Sequence, residues 1–497
     1  KDALYDNTTG EYNVAVGNYS LVNNSTGDNN VATGYGALYT HTVGDNNVAS
    51  GYQALYTNTT GCGNVALGKS ALYSNAWGCQ NVAIGNQALY TNTGGTGNVA
   101  VGYRALYQNN VGTFNTASGF QSLYTNTTGD NNVATGKDAL YYNLDGDDNV
   151  ANGYRALLHN TSGEGSVAVG HQALYYNTTA DNNVAIGKSA LFNNTTGGSN
   201  TAVGYQALFS GPGGSSNTAV GYQALYGNTG SGLGNVAVGC KALKFSKSAS
   251  GHVAIGENAL WGATGTGGDS VAIGAGANEV GGVGLENVSI GAYAAYDHYT
   301  GQGNVVIGYK AGSTGGSTVG AVGFDNGSNN IIIGSHAMPA FNPGNPGQVS
   351  NQITLGNSAI SSLRCQETSI TALSDKRDKK NIIDIPYGLE LINNLQPRQF
   401  TWDMRGEGEN NPHQGTTRVG FIAQEVQTVL GEDNNVLNMV YNVNPERLEL
   451  SYGQLVPVLT KAVQELSSQL TAEKEKTAIL ESKLTAIEAR LSALESN

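Results

Sequence analysis

An apolar and polar pattern repeats along most of the chain. One line of it reads Asn30-Val31-Ala32-Thr33-Gly34-Tyr35-Gly36-Ala37-Leu38-Tyr39. The Gly that closes Asn-Val-Ala-x-Gly returns every 17 residues from Gly17 to Gly221. The step then loosens through Gly239, Gly256, Gly274, Gly291, Gly308, Gly334 and Gly356. Repetition on this scale specifies a solenoid, whose coils bury their apolar faces against one another. Val31 and Thr33 stand two apart with Ala32 directed the other way, which is strand spacing. The Gly permits a positive φ and turns the chain. Four residues further on stands a Leu (Leu38, Leu55, Leu72), usually followed by Tyr or Phe. A second turn comes from runs such as Asn58-Thr59-Thr60-Gly61. Each repeat is therefore predicted as strand, turn, short strand, turn, with the Val and Leu columns as a continuous core. The expected fold class is mainly β, a parallel β-solenoid or β-roll. One rung per closing Gly, at about 4.8 Å each, gives a rod on the order of 100 Å. Frequent Gly argues against helices of useful length.

The middle residue of the line is nearly always Ala. A small side chain there suits either the close approach of another chain or a tight turn within one. The x position drifts from polar (Thr33, Ser50, Ser118) to aliphatic (Ile255, Ile273, Ile307), read as a core that dries toward its C-terminal end.

Four segments follow. Residues 1–308 are the regular solenoid, and 309–372 a Gly/Pro-rich neck holding the last rungs. Residues 373–455 read as a small α+β domain, because charge appears and Gly falls from Ser374 onward. Its expected elements are a helix ending before Pro397, a strand carrying Phe400 and Trp402, and a polar loop from Gly406 to Thr417. Gly420–Val426 begins another helix, and Leu448, Leu450 and Tyr452 alternate as a strand. Residues 456–497 carry a heptad seam: Leu459, Val463, Leu466, Leu470, Glu473, Thr477, Leu480, Leu484, Ile487, Leu491 and Leu494. Steps of 4 and 3 specify a left-handed coiled coil, with Glu473 and Thr477 as polar interruptions. The mixture of Leu, Val and Ile leaves the number of strands open.

Composition narrows the functions. Gly accounts for 70 of 497 residues and only 12% are charged, which fits a repeat rod better than an ordinary enzyme. The net charge is −13, and residues 374–497 hold 13 of the 24 Lys/Arg and 18 of the 37 Asp/Glu. The solenoid is thus nearly charge-free, with no basic face for nucleic acid or anionic lipid. No apolar run is long enough for membrane insertion as a helix, and no signal peptide is visible. Leu4 is in phase with Leu21 and Leu38, so the chain is expected to open midway through a repeat, without its N-terminal attachment region.

Cys62 and Cys79 are one period apart and are predicted to stack in adjacent rungs, within disulfide reach. Asp28, Asp45, Asp130 and Asp147 share their column, which marks an exposed turn. A disulfide and two chance thiols both remain open. Cys240 and Cys365 follow no pattern, metal-ligand spacing is absent, and no cofactor is expected. Asn-x-Thr lines such as Asn58-Thr59-Thr60 match glycosylation acceptors, but turn chemistry explains them better.

Ser374-Asp375-Lys376-Arg377-Asp378-Lys379-Lys380-Asn381-Ile382, then Gly420-Phe421-Ile422-Ala423-Gln424-Glu425-Val426 and the helical tail, resemble the C-terminal intramolecular chaperone domain. That domain ends many phage tail fibres and tail spikes, and some cellular proteins. The likeness covers about residues 365–497. It implies a homotrimer whose C-terminal domain nucleates folding of the fibre and cuts itself off through a Ser-Lys dyad. By position the nucleophile is Ser374 and the base Lys379; Lys380 fits the spacing less well. A Ser hydroxyl is a weak nucleophile until a base takes its proton. A Lys does so only when neutral, and desolvation or neighbouring cations bring this about. An interface formed only in the trimer would supply that desolvation. Attack on the preceding carbonyl would break Leu373–Ser374 in a single turnover, as an autoprotease with no other catalysis. The plainer reading is that Ser374 caps a helix ahead of a solvated charge run. The repeats also resemble the heads of trimeric bacterial adhesins, left-handed parallel β-rolls built on a similar line with a shorter period.

Two functions fit. One is a virion tail fibre that attaches to a host-cell surface receptor or glycan. The other is a bacterial cell-surface adhesin or extracellular filament with the same ending. Near-identical rungs slip past one another between chains at little cost, and long-range parallel pairing nucleates slowly. A clamp that sets the register at one end answers a need of the repeat itself.

Overall fold

A computed structural model describes the chain except residues 229, 248–249, 263–267, 281–283, 297–299, 314–326, 339–349, 358–359, 361–373, 404–413, 442–447 and 496–497. Two compact units divide it, Lys1–Pro339 with Gly347–Leu355, and Ala340–Pro346 with Gly356–Asn497.

The first unit is a parallel β-solenoid. Three-residue strands, β1 (Val14–Val16) through β20 (Ile353–Leu355), form one sheet in which each pairs in register with the next. Val14 lies beside Val31 and Val31 beside Val48, so the pairing step is the repeat itself. The sheet runs on past residue 308: Val305 pairs with Ile331 and Ile331 with Ile353. Most of the proline-rich stretch between those last strands falls outside the described residues.

The core differs from the one the alternation predicts. Ala32, Ala37 and Leu38 are 0% exposed, and the same three positions are buried in rung after rung. Val31 is half-buried and Thr33 exposed, so the Val column faces outward. Val and x share one face of the strand and Ala has the other. The coil is narrow, and only Ala fits opposite the Leu that fills it. Ala therefore serves its own chain's core, and the aliphatic drift at x lies on the outer face rather than inside. Among the described residues the predicted second strand is also absent. Leu38 (φ 53) and Leu55 (φ 50) adopt the left-handed conformation within a turn. Such a residue costs on the order of 1–2 kcal/mol. Complete burial of the Leu side chain and the bond from Leu38 N–H to the Ala54 carbonyl (3.0 Å) offset it.

Two buried Asn ladders satisfy the turns. Asn47 Nδ2 donates to Asn30 Oδ1 (3.0 Å) and to the Gly61 carbonyl (2.9 Å), and its backbone N–H donates to the same Asn30 oxygen. In the second ladder, Asn75 Nδ2 donates to Asn58 Oδ1 (2.7 Å) and the Gly78 carbonyl (2.8 Å). Asn58 is fully buried, in keeping with a turn role rather than a sugar acceptor. Outside the Leu column runs a tyrosine stack, with Tyr39, Tyr56, Tyr73 and Tyr90 at centroid spacings of 4.9, 5.1 and 5.0 Å.

His41 interrupts the second ladder. Gly44 O can only accept and the Asn58 amide can only donate, so Nε2 carries the proton (2.6 Å to Gly44) and Nδ1 accepts (2.9 Å from Asn58). Burial pushes the imidazole pKa down, against smaller opposing effects of the Gly44 and Asn58 backbone and of Asp45. The fold thus holds His41 neutral, while the unfolded chain takes up a proton below about pH 6.5. Stability is expected to be flat above that pH and to fall as pH drops through it. The imidazole also leaves Asn24 Oδ1 buried without a donor. His41→Asn should supply one, raising stability by about 1 kcal/mol and removing this pH dependence. Thermal melts of both proteins between pH 5 and pH 8 check it.

The second unit, as described, contains α1 (Leu389–Asn394), an antiparallel pair β21 (Arg398–Thr401) and β22 (Thr417–Gly420), and α2 (Ala423–Leu430). A short α3 (Asn434–Leu437), a pair β23 (Val440–Tyr441) with β24 (Glu449–Leu450), and a 41-residue α4 (Leu455–Glu495) follow. Phe400 lies in β21 but Trp402 just past it, and Gly420 closes β22 rather than opening a helix. Tyr452 lies in a 3₁₀ turn, not in a strand. Most of the polar loop lies outside the described residues. Leu395, Val426, Leu430, Met439, Val440 and Leu455 form the core.

Candidate functional site

Asp375 decides how the Ser374 segment folds. Its carboxylate accepts from Arg377 N–H (2.9 Å) and pairs with the Arg377 guanidinium (3.0 and 2.5 Å). The guanidinium, then the N–H, holds that carboxyl below the usual range. This caps a single 3₁₀ turn, Lys376–Asp378, and leaves Ser374 free of the capping role. The turn brings residues 374 and 379 together, and Lys379 Nζ donates to Ser374 Oγ at 2.6 Å. Both side chains are exposed. Among the described residues none covers the pair. Leu373 lies outside the described residues.

The second motif is tied to its surroundings by contacts that sequence spacing hides. Glu425 on α2 takes a bidentate pair from Arg398 on β21 (3.0 and 3.0 Å). Tyr452 Oη accepts from Phe421 N–H at 3.1 Å. Glu465 on α4 accepts from Leu389 N–H at 2.8 Å, at the start of α1. These partners stand 27, 31 and 76 residues apart. Only the presence of Phe421 and Glu425 within a recognisable motif could have drawn attention to two of them.

α4 shows two faces. Leu455, Val458 and Ala462 are buried in the unit, whereas the heptad seam from Leu459 to Leu494 stands open. Leu484 is 56% exposed and Leu491 56%.

Residues 374–435 match the family described as chaperone of endosialidase. The match begins on Ser374 and takes in α1, both strands of the first pair and α2. No curated protein and no solved structure matches the chain. A chaperone of endosialidase region at the C-terminus, with a β-solenoid ahead of it in sequence, fits a tail fibre or tail spike that ends in its own chaperone. No described helix is long and apolar enough to cross a membrane.

Proposed function

We propose that this chain is a homotrimeric tail fibre or tail spike of a virion. Its C-terminal region directs trimerisation and folding, then cuts the chain beside Ser374. The observation that carries the reading is the open seam of α4. Large apolar residues from Leu459 to Leu494 stand exposed at steps of 3 and 4, interrupted at Glu473 and Thr477, on the C-terminal side of a region matching a chaperone family. Such a stripe wants partner helices of the same kind. The outward face of the solenoid supports it, since Ile84, Ile186, Ile255 and Ile273 lie exposed along one sheet. A host-surface receptor or glycan is the expected partner of the finished fibre.

Processing follows from the dyad. On assembly, neighbouring chains desolvate Lys379, which loses its proton and takes the one on Ser374 Oγ. The oxygen attacks the Leu373 carbonyl, Lys379 passes the proton on to Ser374 N, and the peptide bond becomes an ester with Ser374 N as a free amine. Water then hydrolyses the ester to a carboxylate and restores the hydroxyl. Ser374→Ala is expected to give one full-length band on a denaturing gel, where the parent gives two. Lys379→Arg, which stays charged, should do the same. Parent-like cutting in Ser374→Ala would refute the assignment.

A further inference from the structure

Cys62 and Cys79 occupy a column that clasps one turn to the next. Where that column holds Asp, the carboxylate accepts a backbone N–H from the preceding rung. Asp45 takes Asp28 N–H at 2.8 Å, and Asp147 takes Asp130 N–H at 2.7 Å. At the cysteines the clasp is a sulfur: Cys62 N–H points to Cys79 Sγ at 3.1 Å. Sulfur is a weak acceptor, so this rung junction has a poorer clasp than its Asp counterparts. The two sulfurs are 2.6 Å apart, and both residues are half-buried at a turn. Parallel in-register rungs about 4.8 Å apart fall within the Cα separation that a disulfide spans.

We propose that Cys62 and Cys79 form a disulfide that staples adjacent turns of the solenoid under oxidising conditions. The oxidant is a small-molecule disulfide of the glutathione class. One cysteine gives its proton to solvent, attacks one of the oxidant's sulfurs, expels a thiolate and forms a mixed disulfide. The other then gives its proton to solvent, attacks the protein sulfur of that bond, displaces the second small thiolate and closes the protein bond. Two electrons pass to the small disulfide, which leaves as two thiols. The hydrogen bond with Cys79, then burial, pushes the Cys62 thiol up, which slows the exchange relative to an exposed thiol. The staple closes a loop of one repeat and restores covalently what the Asp column does by hydrogen bonding. It depends on neither the trimer nor the processing reaction.

Trypsin provides the test, because Lys69 lies between the two cysteines. The intact full-length protein is equilibrated in a mixture of oxidised and reduced glutathione. It is then alkylated under denaturing conditions and digested without reductant. The expected product is one species joining the 2–69 and 70–104 peptides, about 2 Da lighter than their sum, which reduction separates. Alkylation of both cysteines, a stable glutathione adduct on either, or a link to a second chain or to Cys240 would overturn the proposal. Cys62→Ser is expected to trap the glutathione adduct on Cys79, with the rest of the digest unchanged.

Discussion

Asp at both Leu484 and Leu491 is expected to leave the chain unable to form trimers. Each Leu is 56% exposed in the single chain. Full burial of a Leu contributes about 1.5–3 kcal/mol, so covering the exposed half gives roughly 1 kcal/mol per side chain. The whole seam, from Leu459 to Leu494, then contributes on the order of 10 kcal/mol per chain before the entropy of association is subtracted. The double substitution removes part of that gain. It also places six carboxylates in one apolar seam across three chains, and buried unpaired charge is far costlier than a lost methyl contact. Both positions lie on the exposed face of α4, away from Leu455, Val458 and Ala462, which pack into the unit. The unit should therefore fold while association fails. Sedimentation equilibrium reads the loss, and far-ultraviolet dichroism reports the helix that remains. Trimers that persist would mean that the seam does not hold the chains.

Gly102→Ala is expected to break the solenoid locally and cost roughly 4 kcal/mol or more. Gly102 has φ +133, a region that side chains rarely enter. A Cβ there would also lie 2.5 Å from the Gly119 carbonyl oxygen. That oxygen belongs to the backbone of the next rung and cannot rotate away. The same approach recurs up the column, from Gly85 to Gly102 and from Gly119 to Gly136, each at 2.4–2.5 Å. A neighbouring rung cannot take up the displacement, because it is equally tight against its own neighbour. The rungs must separate, which opens the hydrogen bonds from Val99 N–H to Asn115 O and from Gly119 N–H to Val101 O. Limited proteolysis should then nick the chain between residues 85 and 136, where the parent resists. A variant as resistant as the parent would show that the glycine column is not what sets the rung spacing.

The rung was legible in the sequence because its period is covalent. Pairing Val31 with Val48 follows once a coil is known to take 17 residues. The face of the strand was not legible. Alternation shows that Val31 and Thr33 share a side and Ala32 has the other, but it does not say which side is inside. Residue size decided that, in favour of the smaller residue, because the coil is too narrow for a β-branched wall opposite Leu38. The left-handed Leu was equally hidden, since local propensity argues against it and only the finished stack makes it favourable. In the C-terminal unit the Ser374–Lys379 contact lay within reach of a five-residue spacing. Arg398 with Glu425 did not, being a tertiary pair.

The outward Val and x columns and the heptad seam differ in how many registers they allow. A sheet whose exposed residues repeat every rung offers partner chains many equivalent registers. A seam of heptads at the far end of the sequence offers one, since Glu473 and Thr477 interrupt it at single places. Register would be set where the sequence is unique and propagated where it is repetitive.

The most direct test is the mass in solution of the Ser374→Ala chain, which keeps its C-terminal region, measured by sedimentation equilibrium down to nanomolar concentration. The expected mass is three times the 51.4 kDa of one chain, with no lighter species. A stable, folded particle of 51.4 kDa would contradict it.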